Sequence, residues 1–485
     1  MISAIVSRQI APKLTESKSA CIGISALCFI QACYGTLQYF GCLHSIQSGF
    51  DVVGSFDNPA GFAAVLAIGF PVGLSLLAKN KGAWQYVVGI MLAVIVIAII
   101  LSEFRSGLLA VVLSALAFGL FLHYKKVRKS LTKSYAKCVA VILAVGFAFG
   151  AFALYRQKPH SANGRLLIWK VSTDMIKDKP LLGHGYNSFQ AKYMDYQASY
   201  FKAKPNSKYA LLADNVKHPF NEFIKLAVEF GLVTLILVIL AIALIVKRAL
   251  RVDENGSALI ITGLTTIAVF SCFSYPFQYT ATYLLLAFYL SALLPKGKIT
   301  LPYTPRAIFA RCAVILSCAF LIFTASRWLY YELRWKTIAD SSLRGNTEMM
   351  LPKYEELYHT SFRQKPLFLY NYGAELNYVH KHEESNKILL ECAVKFNDYD
   401  LQMLMADNYM SLENFKQAEQ TLKHASCMIP NRFYPLFKLV ELYRNTDQTD
   451  KAQTLAKEIL EKQVKIPSPT ISYIKQKRLY VECSG

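Results

Sequence analysis

The sequence predicts an all-α protein: a polytopic helical membrane domain of about nine transmembrane helices, followed by a helical-repeat tail. Three observations predict it. Mean hydropathy is +0.30, and hydrophobic residues make up 54% against only 18% charged, where a soluble domain carries about 25%. The apolar residues are gathered in long uncharged blocks. The last third of the chain repeats a pattern of small and aromatic residues with a period of about 33 to 34 residues. An ordinary soluble enzyme and a disordered chain are both disfavoured. A nucleic-acid binder is disfavoured too: the net charge is +21, but it does not lie on a polar body.

The expected spans are Ser19–Leu43, Pro59–Ala78, Trp84–Leu101, Ser106–His123, Cys138–Leu154, Phe230–Val246, Ser257–Tyr275, Gln278–Leu294 and Ala307–Ser326. Each approaches the roughly 20 residues that cross a bilayer as a helix. The uncharged run from Asn255 to Pro295 is too long for one helix, and Tyr275-Pro276-Phe277 breaks it, because proline cannot continue the hydrogen-bond ladder. The first run is too long for a signal-peptide core, so it reads as a retained anchor.

Loop charge predicts the orientation. With the N-terminus cytoplasmic, the inside loops carry Arg8, Lys13, Lys18, Lys79 and Lys81, the cluster 125–137, then Lys247, Arg248, Arg251, Lys296, Lys298 and Arg306. The short outside loops carry only Arg105. This is a strong positive-inside pattern. It puts the loop Tyr155–Lys217 and everything after Arg327 on the outer side, the periplasm in a bacterium. The expected division is therefore 1–326 for the membrane domain, with its large loop 155–217, and 327–485 for the tail. The eleven cysteines include no C-x-x-C pair and mostly lie in apolar runs, so they read as packing residues.

In the tail, Tyr372, Gly373 and Leu376 recur as Met405, Ala406 and Tyr409, then as Leu439, Val440 and Tyr443. Leu389 and Cys392 recur as Ala418, Leu422 and Ala425, then as Ala452, Ala456 and Ile459, and Pro430 closes the middle unit. Small residues at a helix crossing, a tyrosine between units and a closing proline resemble the tetratricopeptide repeat. The resemblance implies three stacked units presenting a concave face, suited to docking an envelope protein or bracing the membrane domain.

Three segments carry candidate chemistry. Ser102-Glu103-Phe104-Arg105-Ser106-Gly107 closes a helical hairpin, and an arginine this near hydrocarbon is costly; the plain alternative is snorkelling to lipid phosphates. Asn163-Gly164-Arg165-Leu166-Leu167-Ile168-Trp169 opens a helix with Arg165 and Trp169 four apart on one face; the alternative is a solvated amphipathic helix. Lys217-His218-Pro219-Phe220-Asn221-Glu222-Phe223 leads through Glu229 and Gly231 into a span, with His218 just before the helix start that Pro219 favours. Asp398-Tyr399-Asp400 spells the D-x-D with which nucleotide-sugar glycosyltransferases hold a metal, but it lies between helical repeats and reads as structural. Gly183-His184-Gly185 reads as a turn. There is no P-loop, no G-x-S-x-G and no metal-spaced His/Cys cluster in the sequence, so no metal or cofactor is expected.

These landmarks, in order, look familiar. Gly54-Ser55-Phe56-Asp57-Asn58-Pro59, the Ser102–Gly107 hairpin, Gly164–Trp169, Lys179-Pro180-Leu181-Leu182-Gly183-His184-Gly185-Tyr186-Asn187-Ser188-Phe189, Phe220–Phe223 and Glu229-Phe230-Gly231 resemble the O-antigen ligase and O-antigen polymerase superfamily of bacterial inner-membrane glycosyltransferases. The resemblance covers roughly residues 54–294. It implies transfer of a glycan from an undecaprenyl-diphosphate carrier at the periplasmic face, without metal; the expected reaction is an inverting one. Arg105 and Arg165 stand where the family's diphosphate-holding arginines do. The family's proposed base, a histidine next to the asparagine, is Phe220 here, with His218 two residues earlier. Many members have about three more spans at the N-terminus.

The residue types suit that chemistry. Guanidinium forks match phosphate oxygens and stabilise charge growing on a departing diphosphate. An imidazole near neutral pKa suits removal of the acceptor proton, which makes His218 the expected base, with Glu222 and Glu229 as fallbacks. Asn221, Glu222 and Trp169 are the expected sugar and carrier contacts. The general resemblance favours a ligase-like transfer, with lipid A core as acceptor; the alternatives within the family are a polymerase, which uses another lipid-linked repeat, and an O-oligosaccharyltransferase, which uses a protein. A non-enzymatic scaffold acting through the tail is the reading from another class. A transporter is disfavoured by the scarcity of ionisable residues within the spans.

Overall fold

In the computed structural model, the described residues are 17–127, 159–251, 254–293 and 305–482, with 46 and 48 excepted, and a few isolated residues of 128–158. All regular structure among them is helical. Seven helices are long and apolar enough to cross a membrane, and the chain is a multi-pass membrane protein. They match seven of the nine expected spans. The eighth expected span, Gln278–Leu294, is a shorter helix, Thr280–Ser291. Pro276 and Gln278 close a separate 3-10 turn, so the proline break takes more of the apolar run than its hydropathy suggests. The span expected at Cys138–Leu154 lies outside the described residues, as do Arg8, Lys13, Lys296, Lys298 and 128–137.

The chain divides into two compact units that interleave in sequence. The first comprises Met1–Ala162, Pro219–Leu226 and Val233–Val314; the second comprises Asn163–His218, Ala227–Leu232 and Ile315–Gly485.

In the first unit the helices are α1 (Lys18–Tyr39), α2 (Pro59–Lys79), α3 (Ala83–Leu101) and α4 (Arg105–Val127). Later come α7 (Glu222–Ala249), α8 (Glu254–Phe273) and α9 (Thr280–Ser291). Helix α2 is the central one. Its apolar window is 83% buried, against 17% for α7, and it packs on α1, α3, α4, α8 and α9. Its sequence is rich in Gly and Ala, which lets neighbouring helices approach closely where water supplies no drive for association. The Sγ of Cys28 lies 2.3 Å from where a Cβ on Gly69 would stand, and the Tyr289 ring lies 2.5 Å from that of Gly263 on α8. The loop before α2 hangs on one buried amide: Gln38 Oε1 accepts from Val53 N at 3.1 Å and Gly54 N at 2.7 Å, and its Nε2 donates to Gly54 O at 3.0 Å.

The second unit contains α5 (Pro159–Asp178, from Asn163 on), α6 (Ser188–Ala203), most of α10 (Pro305–Ser341) and the tail helices. Those are α11 (Thr347–Tyr358), α12 (Pro366–Tyr378), α13 (His382–Ala393), α14 (Tyr399–Ser411), α15 (Phe415–Met428), α16 (Tyr434–Asn445), α17 (Thr449–Glu461) and α18 (Pro469–Glu482). From α11 on, each helix packs on the next. The small residues expected at the crossings are buried there: Gly373, Ala406, Ala418 and Ala452. Helix α10 has 37 residues, about 55 Å at 1.5 Å per residue. Arg327, the expected domain boundary, falls inside it. Its C-terminal part delivers Tyr331, Trp335 and Ile338 to an aromatic core with Tyr354, Phe362, Phe368 and Tyr372. The Tyr354 and Tyr372 rings stack at 5.5 Å. Asn371 Oδ1 accepts from Trp335 Nε1 and from Tyr354 Oη, both at 2.8 Å, so the polar tips are satisfied inside an apolar cluster.

Candidate functional site

In the first unit, three of the expected site residues stand on helix starts that flank the C-terminal end of α8 and the turn after it. Arg105 is half-buried and opens α4, directly after a turn in which Glu103 takes a left-handed φ of 53°. The preceding ring, Phe104, stacks on Phe270 of α8 at 5.6 Å. Asn221 caps α7: its Oδ1 accepts from Phe223 N at 2.9 Å and Ile224 N at 3.0 Å. Its Nδ2 donates to the Cys272 carbonyl at 3.1 Å. Glu222 Oε1 accepts from Phe277 N at 3.2 Å. The starts of α4 and α7 therefore flank the same last turn of α8.

An aromatic series continues from that point. Phe220 lies edge-on to Tyr275 at 5.4 Å, Tyr275 stacks with Tyr279 at 6.4 Å, and Tyr279 meets Phe56 at 5.7 Å. Tyr279 lies on Gly61, where a Cβ would stand 2.5 Å from the ring. Asn58 caps α2 beside it, accepting from Ala60 N at 2.8 Å. Tyr275 and Tyr279 were not among the expected site residues. The sequence marked Tyr275 only as a flank of the proline break and did not single out Tyr279, and nothing in their spacing pointed to Phe220. Phe220 itself sits at a left-handed φ of 53°, uncommon for a bulky side chain.

In the second unit, α5 presents half-buried Arg165 and Trp169 beside the buried Leu167, Ile168, Val171 and Met175. His218 is half-buried and ends the unit's first segment. Two landmarks that the sequence showed only as separate motifs meet here. Helix α7 is broken at Gly231, which has φ 78° and ψ 175°. The break exposes backbone groups that a helix would pair internally, and residues 180–185 take them up. His184 N donates to Val228 O at 2.9 Å, Gly185 N to Glu229 O at 2.8 Å, and Leu232 N to Pro180 O at 2.8 Å. The approach is so close that a Cβ on Gly231 would stand 2.0 Å from Leu181 O, and one on Gly183 2.6 Å from the Glu229 carbonyl. Both glycines also have positive φ, so no other residue fits. Glu229, a fallback base, is buried at this junction. The His184 side chain is buried as well, its Nε2 2.9 Å from the Met175 carbonyl.

The D-x-D segment is structural where it can be tested: Asp398 Oδ1 accepts from Leu401 N at 2.9 Å as the cap of α14. Burial raises its carboxyl pKa above the ordinary range, with the Leu401 N–H opposing. Among the described residues no group of three or more His, Cys, Asp or Glu is arranged to hold a metal.

The fold and these landmarks define a polytopic helical membrane protein whose polar groups gather at helix starts. Residues 90–239 match the O-antigen ligase family. That stretch contains Arg105, Arg165, Trp169, His218, Asn221, Glu222 and the Gly231 break. The chain is also 24% identical over 286 residues to an exopolysaccharide production protein, ExoQ, of Rhizobium meliloti strain 1021. The alignment covers 54% of this chain and 62% of that relative, so the chain spans less than two thirds of the relative's length. The resemblance read from the ordered motifs is borne out: the matched stretch and the exopolysaccharide relative both support likeness to the O-antigen ligase superfamily.

Proposed function

We propose that the protein transfers a glycan from an undecaprenyl-diphosphate carrier to an acceptor hydroxyl at the periplasmic face of the inner membrane. The observation that carries this reading is that the helix starts bearing Arg105, Asn221 and Glu222 flank the last turn of α8 and the 3-10 turn after it, inside the family-matched stretch. In this reading Arg105 and Arg165 hold the diphosphate and stabilise its growing charge, an effect worth about 10²–10³-fold per donor in comparable sites. The reaction inverts the anomeric centre and needs no metal. His218 takes the acceptor proton. Asn221 and Glu222 are engaged with backbone groups, which suits them to setting the start of α7 more than to proton transfer. The division into a membrane domain, 1–326 with its outer loop 155–217, and a tetratricopeptide-like periplasmic tail, 327–485, belongs to the same proposal.

The test is transfer by the full-length protein in membranes, using an undecaprenyl-diphosphate-linked oligosaccharide. Arg105→Ala and Arg165→Ala should each abolish polymer or ligated glycan while the chain stays inserted. His218→Ala should lower transfer by about 10²–10⁴-fold. Full output from either arginine variant defeats the reading.

A second reading concerns the acceptor. The exopolysaccharide relative favours another lipid-linked repeat unit over lipid A core. Deleting the gene then leaves single repeat units. A ligase would instead leave lipid-linked polymer.

A further inference from the structure

The Asp398-Tyr399-Asp400 turn does more than cap a helix. Asp400 Oδ2 accepts from Asn215 Nδ2 at 2.8 Å, and Tyr399 N donates to Asn215 Oδ1 at 3.1 Å. Both ends of one amide are therefore held by adjacent residues of the tail. Lys217 Nζ stands 5.7 Å from the Phe396 ring centroid. Two residues before Asn215, the Ala213 carbonyl accepts from Asn431 Nδ2 at 2.7 Å. Behind this, Asn397 Nδ2 and His424 Nε2 both meet Asp195 Oδ1 of α6, at 2.9 and 2.8 Å. Gln197 Nε2 donates to the Asp214 carbonyl at 3.2 Å and to the Met428 carbonyl at 2.7 Å. Every one of these contacts lies within the second unit.

The held segment runs up to the residue before His218. Three residues of chain reach at most about 11 Å, so a fixed Asn215 confines where His218 can stand. A general base must lie within hydrogen-bond reach of its proton, and a misplacement of 1 Å can cost about 10²-fold. The geometry points to Asn215, Tyr399 and Asp400 as a positioning clamp: the tail sets the place of His218 and is a working part of the transfer site. This rests on the reading of His218 as the base.

The experiment is a polarity swap in the full chain, with transfer from an undecaprenyl-diphosphate-linked oligosaccharide as the assay. Asn215→Asp sets two carboxylates against each other and should lower kcat about tenfold or more, with KM for the lipid-linked donor little changed. Asn215→Asp combined with Asp400→Asn restores a donor opposite an acceptor, and the introduced carboxylate still accepts from Tyr399 N. The pair should regain kcat to within about threefold, together with the parent pH profile. Membrane abundance and trypsin cleavage after Lys217 report whether the chain is folded and the segment held. Full kcat in Asn215→Asp, or a double variant as impaired as the single, overturns the clamp. Full activity of His218→Ala overturns the base and the clamp's role with it. A dead His218→Ala beside a fully active Asn215→Asp sinks the clamp alone.

Discussion

The two units hold together by different means. In the first, helices meet through glycine and alanine, and hydroxyls such as Thr266 on α8 bond back to their own helix, here to the Thr262 carbonyl at 2.8 Å. In the tail helices of the second, from α11 on, helices meet through side-chain networks. Buried Asn408 accepts from Asn377 Nδ2 at 2.8 Å and lies 2.9 Å from His382 Nδ1, while its Nδ2 donates to Ser385 Oγ at 2.8 Å and Asn386 Oδ1 at 3.0 Å. The reason is the solvent. Lipid gives two apolar helices no reason to associate, so close contact must hold them. In water, apolar burial supplies the drive, and polar groups can be used to fix register.

The largest break in that contrast is expected at Gly231→Val, where the lost left-handed conformation and a collision with the Leu181 carbonyl act together. Strain alone costs about 1–3 kcal/mol, so little folded protein should be recovered from membranes. Asn408→Leu comes next. It strands four partners in the tail, about 3 kcal/mol or more, and should lower the tail's thermal midpoint in the detergent-solubilised full chain. Thr266→Val, its membrane counterpart, should cost less than about 1 kcal/mol; a loss equal to that of Asn408→Leu would erase the distinction.

A smaller effect is expected with pH. Burial pushes the Glu391 carboxyl up, but hydrogen bonds from Arg363 and Tyr358 outweigh it and leave the pKa lowered. A lowered carboxylate stabilises the fold above its unfolded value of about 4.3, and that contribution is lost as pH falls through the folded value. Glu391→Gln should therefore flatten the acid side of the tail's stability profile. Smallest is Asp398: Asn caps as well as Asp and relieves a buried charge, so Asp398→Asn should leave the thermal midpoint level or higher. Asp398→Ala should lose about 1 kcal/mol.

Much of the membrane domain was legible because hydropathy registers span length directly. Helix α9 was shortened because Pro276 starts a separate turn, and a hydropathy window cannot see where a helix resumes. In the site, Asn221 was legible as polar and near a helix start, but not as a cap tied to Cys272. The pairing of residues 180–185 with the α7 break was hidden because both partners are backbone groups. The Asp398-Tyr399-Asp400 turn was discounted as structural for want of an α/β domain, and its second partner, Asn215, is 185 residues distant from Asp400.

The sequence by itself determined that this is an all-helical membrane protein similar to the O-antigen ligase superfamily, where its apolar helices run, and which arginines and histidine merit attention. Those properties reside in composition, period and motif order, each of which is local. Tertiary structure alone decided that Asn221 and Glu222 share the end of α8 with Phe104 and Arg105, that Gly183 and Gly231 are inseparable, and that the tail grips the chain just ahead of His218. Such facts depend on which distant carbonyls and amides meet after packing, and a linear pattern carries no record of that meeting.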